Sequence, residues 1–370
     1  MKKKQAYMCV AGGGTGGHIM PALALADAVR ETYSDINVEF IGTDYGLEAT
    51  MLPERGEKVH LLKMRAVQGK SWLQKLIVYF VALPMAVLQV CWLWRKQRPI
   101  VVVGVGGYAS VASVLAAIIC RIPVVLYEQN AIPGMVNRRL ARWCQVMMLG
   151  FKQAEQFLAR VRCVDTGNIV AKNLSEPALK KHAEPCLLIL GGSQGARFLN
   201  QEIPKVCALL AQEGHVFNVV HQCGRAEGMV EQVSQAYEQA NVRAEVLGFC
   251  ADMPGFYHRG DVLMARSGAM TVSEAAMQGL ASVFIPYPYA ADDHQFYNAQ
   301  VMMEGGAALV MREEGLSTEI LATQLKQLLF DKTKLRSMHQ AARAVAPVDA
   351  TAKQLDVLKP YLCKRKNSEG

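Results

Sequence analysis

A chain of 370 residues, 51% of them hydrophobic, is long for a single core and suits two domains, each able to bury its own interior. Its 40 basic against 32 acidic residues give a net charge of +8, which points to nucleic acid, an anionic membrane or a phosphorylated substrate. Nucleic acid is set aside because the aromatic residues are not interleaved with basic ones, and ten scattered cysteines, none closer than Cys207 and Cys223, exclude a disulfide scaffold or a cysteine-built metal site.

Lys2-Lys3-Lys4 resembles the start of an export signal, but the apolar run after it lasts only about six residues before glycines interrupt it, so export is not expected. AYMCVA reads as a short buried strand and ALALADAVRETY has helical spacing, which makes VAGGGTGGHIMP (10–21) a strand-to-helix turn. Such a turn aims free amides and the positive end of a helix at whatever sits above it, most often a phosphate. Gly12-x-Gly14-x-x-Gly17 also fits the dinucleotide fingerprint, with Glu39 of NVEFIG as a ribose ligand and NAD as cofactor. Glu39 lies inside its strand rather than beyond the carboxyl end, which weakens that reading.

From Leu76 to Trp94 the run LIVYFVALPMAVLQVCWLW approaches the length of a membrane span. Pro84 in its middle argues against crossing, as does geometry: a single crossing would put Gly12 and Gly106 on opposite sides of the bilayer. A buried core helix is one reading. The flanks, Trp72, Trp92 and Trp94 with Lys63, Arg65, Lys70, Lys75, Arg95, Lys96 and Arg98, suit a segment seated in an anionic interface.

The strand, glycine turn and helix recur at VVVGVGGYASVAS (101–113) and LLILGGSQGARFLN (187–200), the last after a polar stretch, 173–185. This is α/β grammar with parallel strands. The boundary falls near Gly167, which predicts two doubly wound domains facing each other across a cleft, then a last helix and basic tail. RSGAMTVSE (266–274) is a turn entering a helix whose first amides suit a phosphate, while Glu274, one turn in, can accept both hydrogens of a ribose diol. Asp293, Gln295 and Asn298 add polar groups to an aromatic segment and read equally well as loop and cap residues.

GGGTGGHIMP, GVGGYAS, YEQNAIPG, GGSQGARFLN, GFCADM, RSGAMTVSE and DDHQFYNA occur in an order and spacing that resembles the MurG family, from Val10 to about Ala344. The resemblance implies a GT-B fold of two Rossmann-like domains: 1–166 for the lipid-linked acceptor and the membrane, 167–345 for the UDP-sugar donor, and 346–370 as C-terminal helix and tail. It implies inverting transfer of N-acetylglucosamine from UDP-GlcNAc to undecaprenyl-diphospho-MurNAc-pentapeptide (lipid I), giving lipid II for peptidoglycan synthesis. Its place would be the cytoplasmic face of the inner membrane, peripherally attached, with cell-wall synthesis proteins as candidate partners. Carried over by motif, donor contacts are Thr15, Gly16, Gly17, Asn130, Ser193, Cys250, the run Ala269, Met270, Thr271, Val272, Ser273 and Glu274, and Gln295. The acceptor diphosphate would meet Gly14, Gly106, Gly107 and Tyr108.

Two departures stand out. Cys250 replaces an aliphatic residue whose backbone meets the uracil, which a cysteine also supplies. Ala171 replaces an arginine that helps to hold the donor; Lys172, one position on, can bring the charge without the planar fork. No D-x-D signature occurs, so no metal and no cofactor are expected. His18 is then the candidate general base, and Glu128 a second candidate acid or base. The alternatives are another GT-B glycolipid glycosyltransferase, an NAD-dependent oxidoreductase and a non-enzymatic membrane adaptor.

Overall fold

The computed structural model describes residues 5–14, 16–63, 78–170, 174 and 184–363. It divides into two compact units, Met1–Ile169 with Val348–Gly370, and Val170–Pro347. Each is built on its own parallel sheet.

In the first unit β1 (Ala6–Gly12), α1 (Gly16–Thr32), β2 (Ile36–Thr43), α2 (Glu48–Glu54) and β3 (Val59–Leu62) are followed by α3 (Leu83–Lys96), β4 (Val101–Gly106), α4 (Tyr108–Ile119) and β5 (Val124–Glu128). Helix α5 (Met135–Leu140), β6 (Val146–Leu149) and β7 (Cys163–Asp165) complete it. The strand order is β3-β2-β1-β4-β5-β6-β7, all parallel. Strands such as VVVGVG are buried on both faces, which is why they read as unbroken apolar runs instead of alternating ones. Glu39 sits opposite Cys9 in mid-sheet, where Lys58 Nζ at 2.6 Å and His60 Nε2 at 3.0 Å engage its carboxylate. Burial is the largest single effect and raises its pKa, but the two partners together outweigh it and hold the carboxyl below the usual range. A residue so placed is a strand-stabilising ion pair, and the ribose role is withdrawn.

The second unit runs β8 (Cys186–Leu190), α6 (Arg197–Gln212), β9 (Asn218–Gln222), α7 (Met229–Gln239), β10 (Ala244–Leu247), α8 (Met253–His258) and β11 (Val262–Ala265). It continues through α9 (Ala269–Met277), β12 (Ala281–Phe284), α10 (His294–Glu304), β13 (Ala308–Val310), α11 (Thr318–Leu329) and α12 (Lys332–Val345). Its six parallel strands take the order β10-β9-β8-β11-β12-β13. The last helix, α13 (Ala350–Leu362), returns to the first unit. There Ala350, Leu358 and Leu362 join Leu23, Ala26 and Val29 of α1 in one apolar cluster, and Gln354 Nε2 donates to Gly167 O at 2.9 Å.

Among the described residues no helix is long and apolar enough to cross a membrane. Half of the apolar run 76–94 is explained by α3, which buries Ala86, Val87, Val90 and Trp94 and exposes Met85, Leu88 and Trp92. Trp92 is 60% exposed and Trp94 only 1%, so Trp94 is a core residue and not an interfacial anchor. Trp72, Arg65, Lys70 and Lys75 lie outside the described residues.

In a doubly wound sheet the ligand crevice opens where the strand order reverses, here between β1 and β4 and between β8 and β11. At the first reversal the two glycine turns touch backbone to backbone. A Cβ on Gly12 would lie 2.4 Å from Gly106 O, and one on Gly107, whose φ is +81°, would lie 2.5 Å from Gly13 O. No side chain fits at either position. Gly107→Ala is therefore expected to lower stability to urea by roughly 2–4 kcal/mol, from left-handed strain plus overlap. Gly16→Ala, with no described residue within 4 Å of its Cβ, should stay within about 0.5 kcal/mol or gain slightly from helix propensity.

Candidate functional site

In the first unit, α1 and α4 both begin at the β1/β4 crevice, so two sets of unpaired N-terminal amides converge there. Gly16, Gly17 and His18 form the first turn of α1, and Gly107 and Tyr108 open α4. The His18 ring rests on Gly106, whose Cβ would come within 3.0 Å of Nε2. A larger residue at 106 would displace the imidazole. The first turn thus joins an imidazole and helix-end amides in one small space, next to a second helix start.

Two of the expected site residues have partners within the first unit. Gly14 N–H donates to Glu48 Oε2 at 2.7 Å, so this amide is already engaged. Glu128, at the end of β5 and 1% exposed, accepts from Asn130 N (3.0 Å), Asn130 Nδ2 (3.1 Å), Gly134 N (3.0 Å) and Asn137 Nδ2 (2.8 Å). A carboxylate enclosed by four donors clamps its loop, and it uses Asn130's amide donors as well. Thr15, Ala171 and Lys172 lie outside the described residues.

In the second unit the β8/β11 crevice is bordered by the turn after β8, where Gly195 N donates to Gly192 O and Ser193 is exposed, and by the start of α9. Ala269, Met270 and Thr271 form the first turn of α9, while Val272 N already bonds Gly268 O at 3.0 Å. Val272 is buried, and Ser273 Oγ donates back to Ala269 O at 2.9 Å, so neither offers a side chain outward. Glu274 accepts from Tyr257 OH at 2.8 Å, and burial pushes its carboxyl up to about 7 against the pull of that hydrogen bond.

Side chains that sequence reasoning missed set the loops around this crevice. Gln222, 2% exposed, donates to both Gly192 O (3.1 Å) and Gly248 O (3.0 Å), tying the Ser193 turn to the loop that carries Cys250. Arg266 donates to Ile285 O and Pro286 O and pairs with Glu313 at 2.7 Å. Of the polar residues in DDHQFYNA, Gln295 Oε1 accepts from Tyr287 N (2.9 Å), Asn298 Nδ2 donates to Ser267 O (3.2 Å) and Asp293 pairs with Arg312 (2.6 Å). These contacts shape the loops that carry them. Cys250 holds its own loop through Sγ to Asp252 O.

Two glycine-turn crevices on separate doubly wound sheets suit several nucleotide-dependent chemistries, and comparison with known proteins decides which. The glycosyltransferase family 28 N-terminal domain matches residues 8–149 and the family 28 C-terminal domain matches 186–355. A Myxococcus xanthus protein named UDP-N-acetylglucosamine–N-acetylmuramyl-(pentapeptide) pyrophosphoryl-undecaprenol N-acetylglucosamine transferase is 36% identical over 351 residues, 94% of this chain and 91% of its own. This chain belongs to the MurG family. A Coxiella burnetii protein of the same name is 36% identical, covering 95% of this chain and 98% of its own. The crystal structure of Acinetobacter baumannii MurG superposes with a TM-score of 0.80 at 30% identity, over 96% of this chain and 99% of that one. The calicheamicin glycosyltransferase CalG4, at 17% identity and a TM-score of 0.67, shares the fold alone. Membership in the MurG family fixes the fold as GT-B and the class as N-acetylglucosaminyltransferase, which removes the oxidoreductase and adaptor readings.

Glu274's raised pKa has a consequence for stability. Its folded value, about 7, lies above its ordinary 4.5, so the stabilisation is complete below about 4.5 and is lost as pH rises to about 7. Urea unfolding of the wild type from pH 5 to 8 should show this decline, on the order of 2 kcal/mol. Glu274→Gln, which stays neutral, should lack that component.

Proposed function

We propose that the first unit's paired glycine turns receive the lipid-linked acceptor and that the second unit's Ser193 turn and α9 receive the nucleotide sugar. The reaction is transfer of N-acetylglucosamine from UDP-GlcNAc to lipid I, giving lipid II. In an inverting transfer the acceptor hydroxyl attacks the anomeric carbon from the face opposite the departing UDP. Its proton goes to His18, whose imidazole is seated on Gly106 at the start of α1. The α9 N-terminus and the amides of the Ser193 turn stabilise the departing diphosphate, an electrostatic effect that needs no reorganisation at the moment of reaction. Glu274 accepts the ribose hydroxyls, for which it must be ionised. The acceptor diphosphate lies at the α4 end, Gly107 and Tyr108.

The observation that carries this reading is the His18 ring seated on Gly106 at the mouth of the β1/β4 crevice. Incubation with labelled UDP-GlcNAc and a lipid I analogue should yield the disaccharide product. His18→Ala should lower turnover by about two to four orders of magnitude while UDP binding, measured by calorimetry, stays within twofold. Wild-type turnover in a folded His18→Ala protein would sink the base assignment.

The same reading places the protein peripherally on the cytoplasmic face of the inner membrane. Support comes from the exposed stripe of Met85, Leu88 and Trp92, on one face of α3, with Lys96 Nζ 4.3 Å from the Trp92 ring centre and exposed Arg95 and Arg98 beyond. An undecaprenyl chain has to be met at a lipid surface. Alkaline wash should release the protein, and neutralising Arg95, Lys96 and Arg98 should weaken its sedimentation with anionic vesicles. Retention through the wash would mean an integral segment.

A further inference from the structure

The first glycine turn rests on a carboxylate to which the reaction as described gives no part. Glu48, at the start of α2, is fully buried. Its Oε1 accepts from Thr43 N at 3.0 Å and Thr43 Oγ1 at 2.6 Å, and its Oε2 reaches across to Gly14 N at 2.7 Å. Three glycines make room for it: a Cβ on Gly13 would lie 2.3 Å from its carboxyl carbon, one on Gly42 2.5 Å from Cγ, and one on Gly46 2.1 Å from Oε2. This carboxylate accepts from two backbone amides and a hydroxyl. Burying a carboxylate this deeply costs several kcal/mol unless its hydrogen bonds return the loss. A neutral side chain would fill the same space at lower cost, so the placement needs a reason.

We infer that Glu48 is a positioning residue for the transfer reaction: through the Gly14 amide it fixes the first glycine turn, and with it the start of α1 and the His18 imidazole. Gly14 stands four residues before His18, with φ +98° and open space around its own Cβ position. Among the described residues no atom lies within 4 Å of that Cβ position, so the carboxylate is the contact that holds Gly14. With it, the turn is hydrogen-bonded at Gly14 to the start of α2 and packed at Gly13 against Gly107. Together these contacts fix the turn from which α1 and the His18 ring follow. The negative charge beneath the turn also opposes an anion there. The two turns then divide the work: the first holds the base, and the second, at the start of α4, holds the acceptor diphosphate.

This inference rests on His18 as the base, and a double-mutant cycle separates the two claims. Lipid II synthesis is measured for wild type, Glu48→Gln, His18→Ala and the double variant, each with its thermal unfolding midpoint and UDP binding. Glutamine keeps the shape but loses one acceptor oxygen. Glu48→Gln should lower kcat by about 10–100-fold, the scale of a misplaced reacting group, with KM for UDP-GlcNAc and UDP affinity within twofold. In the His18→Ala background the same substitution should have almost no further effect, because a residue that acts only through His18 has nothing left to position. Thr43→Val, which removes one of the carboxylate's donors, should show the same split with a smaller loss, and it decides the matter if Glu48→Gln fails to fold. Multiplicative losses in the double variant, or kcat within twofold of wild type for the folded Glu48 or Thr43 variant, would overturn the positioning role. Full turnover in His18→Ala alone would overturn the base assignment, and this inference with it.

Discussion

The first unit depends on one close approach: two backbone turns, Gly12–Gly13 and Gly106–Gly107, meet with no side chain between them. Parallel strands β1 and β4 are neighbours in the sheet, and the helices that follow them diverge to opposite faces, so their turns share one crevice. Only residues without Cβ let the turns approach to contact. That contact brings the starts of α1 and α4 together and gives the His18 ring a flat seat. Replace either turn with ordinary residues and the helices part, the two amide clusters separate and the imidazole loses its place.

The second unit solves the same topological problem by other means. Its turn after β8 is tied down by a side chain, Gln222, whose one amide nitrogen serves two loops. Behind it a buried relay, Tyr237 OH to His221 Nδ1 (2.9 Å) and His221 Nε2 to Asn200 Oδ1 (3.1 Å), ends at Asn200 Nδ2 donating to Cys223 O. Burial pushes His221 down to about 3, so the relay stays neutral across the working range. Asn200 belongs to the RFLN end of a glycine motif, which makes that motif's last residue a loop anchor. Both units use hydrogen bonds from buried polar side chains to hold their glycine turns.

Much of this was legible in the sequence wherever cause and effect are close along the chain. Glycines at strand ends announced the turns, the apolar runs announced buried parallel strands, and their recurrence announced two sheets. The enclosure of Glu128 could not be read although its partners, Asn130, Gly134 and Asn137, all lie within the next nine residues: a carboxylate after a strand looks the same whether it is open or enclosed. Glu48 was not legible because its decisive partner, Gly14, is 34 residues away. Trp92 and Trp94 could not be told apart because α3 is apolar on both of its faces, one packed on the core and one exposed, so the sequence carries no period to read. Helix α13 could not be assigned to the first unit from a pattern of its own, since its partner face belongs to α1 at the other end of the chain.

The central claim is that the base and the acceptor's diphosphate lie side by side in the β1/β4 crevice. Histidine-selective NMR tests it directly, with the His18 resonance assigned from His18→Ala and a short isoprenyl diphosphate titrated in. A bound dianion close to the ring must favour the imidazolium, so the account predicts that His18 shifts on binding and that its pKa rises, while the buried His221 stays unchanged. Saturable diphosphate binding that leaves the His18 resonance and its titration where they were would contradict it.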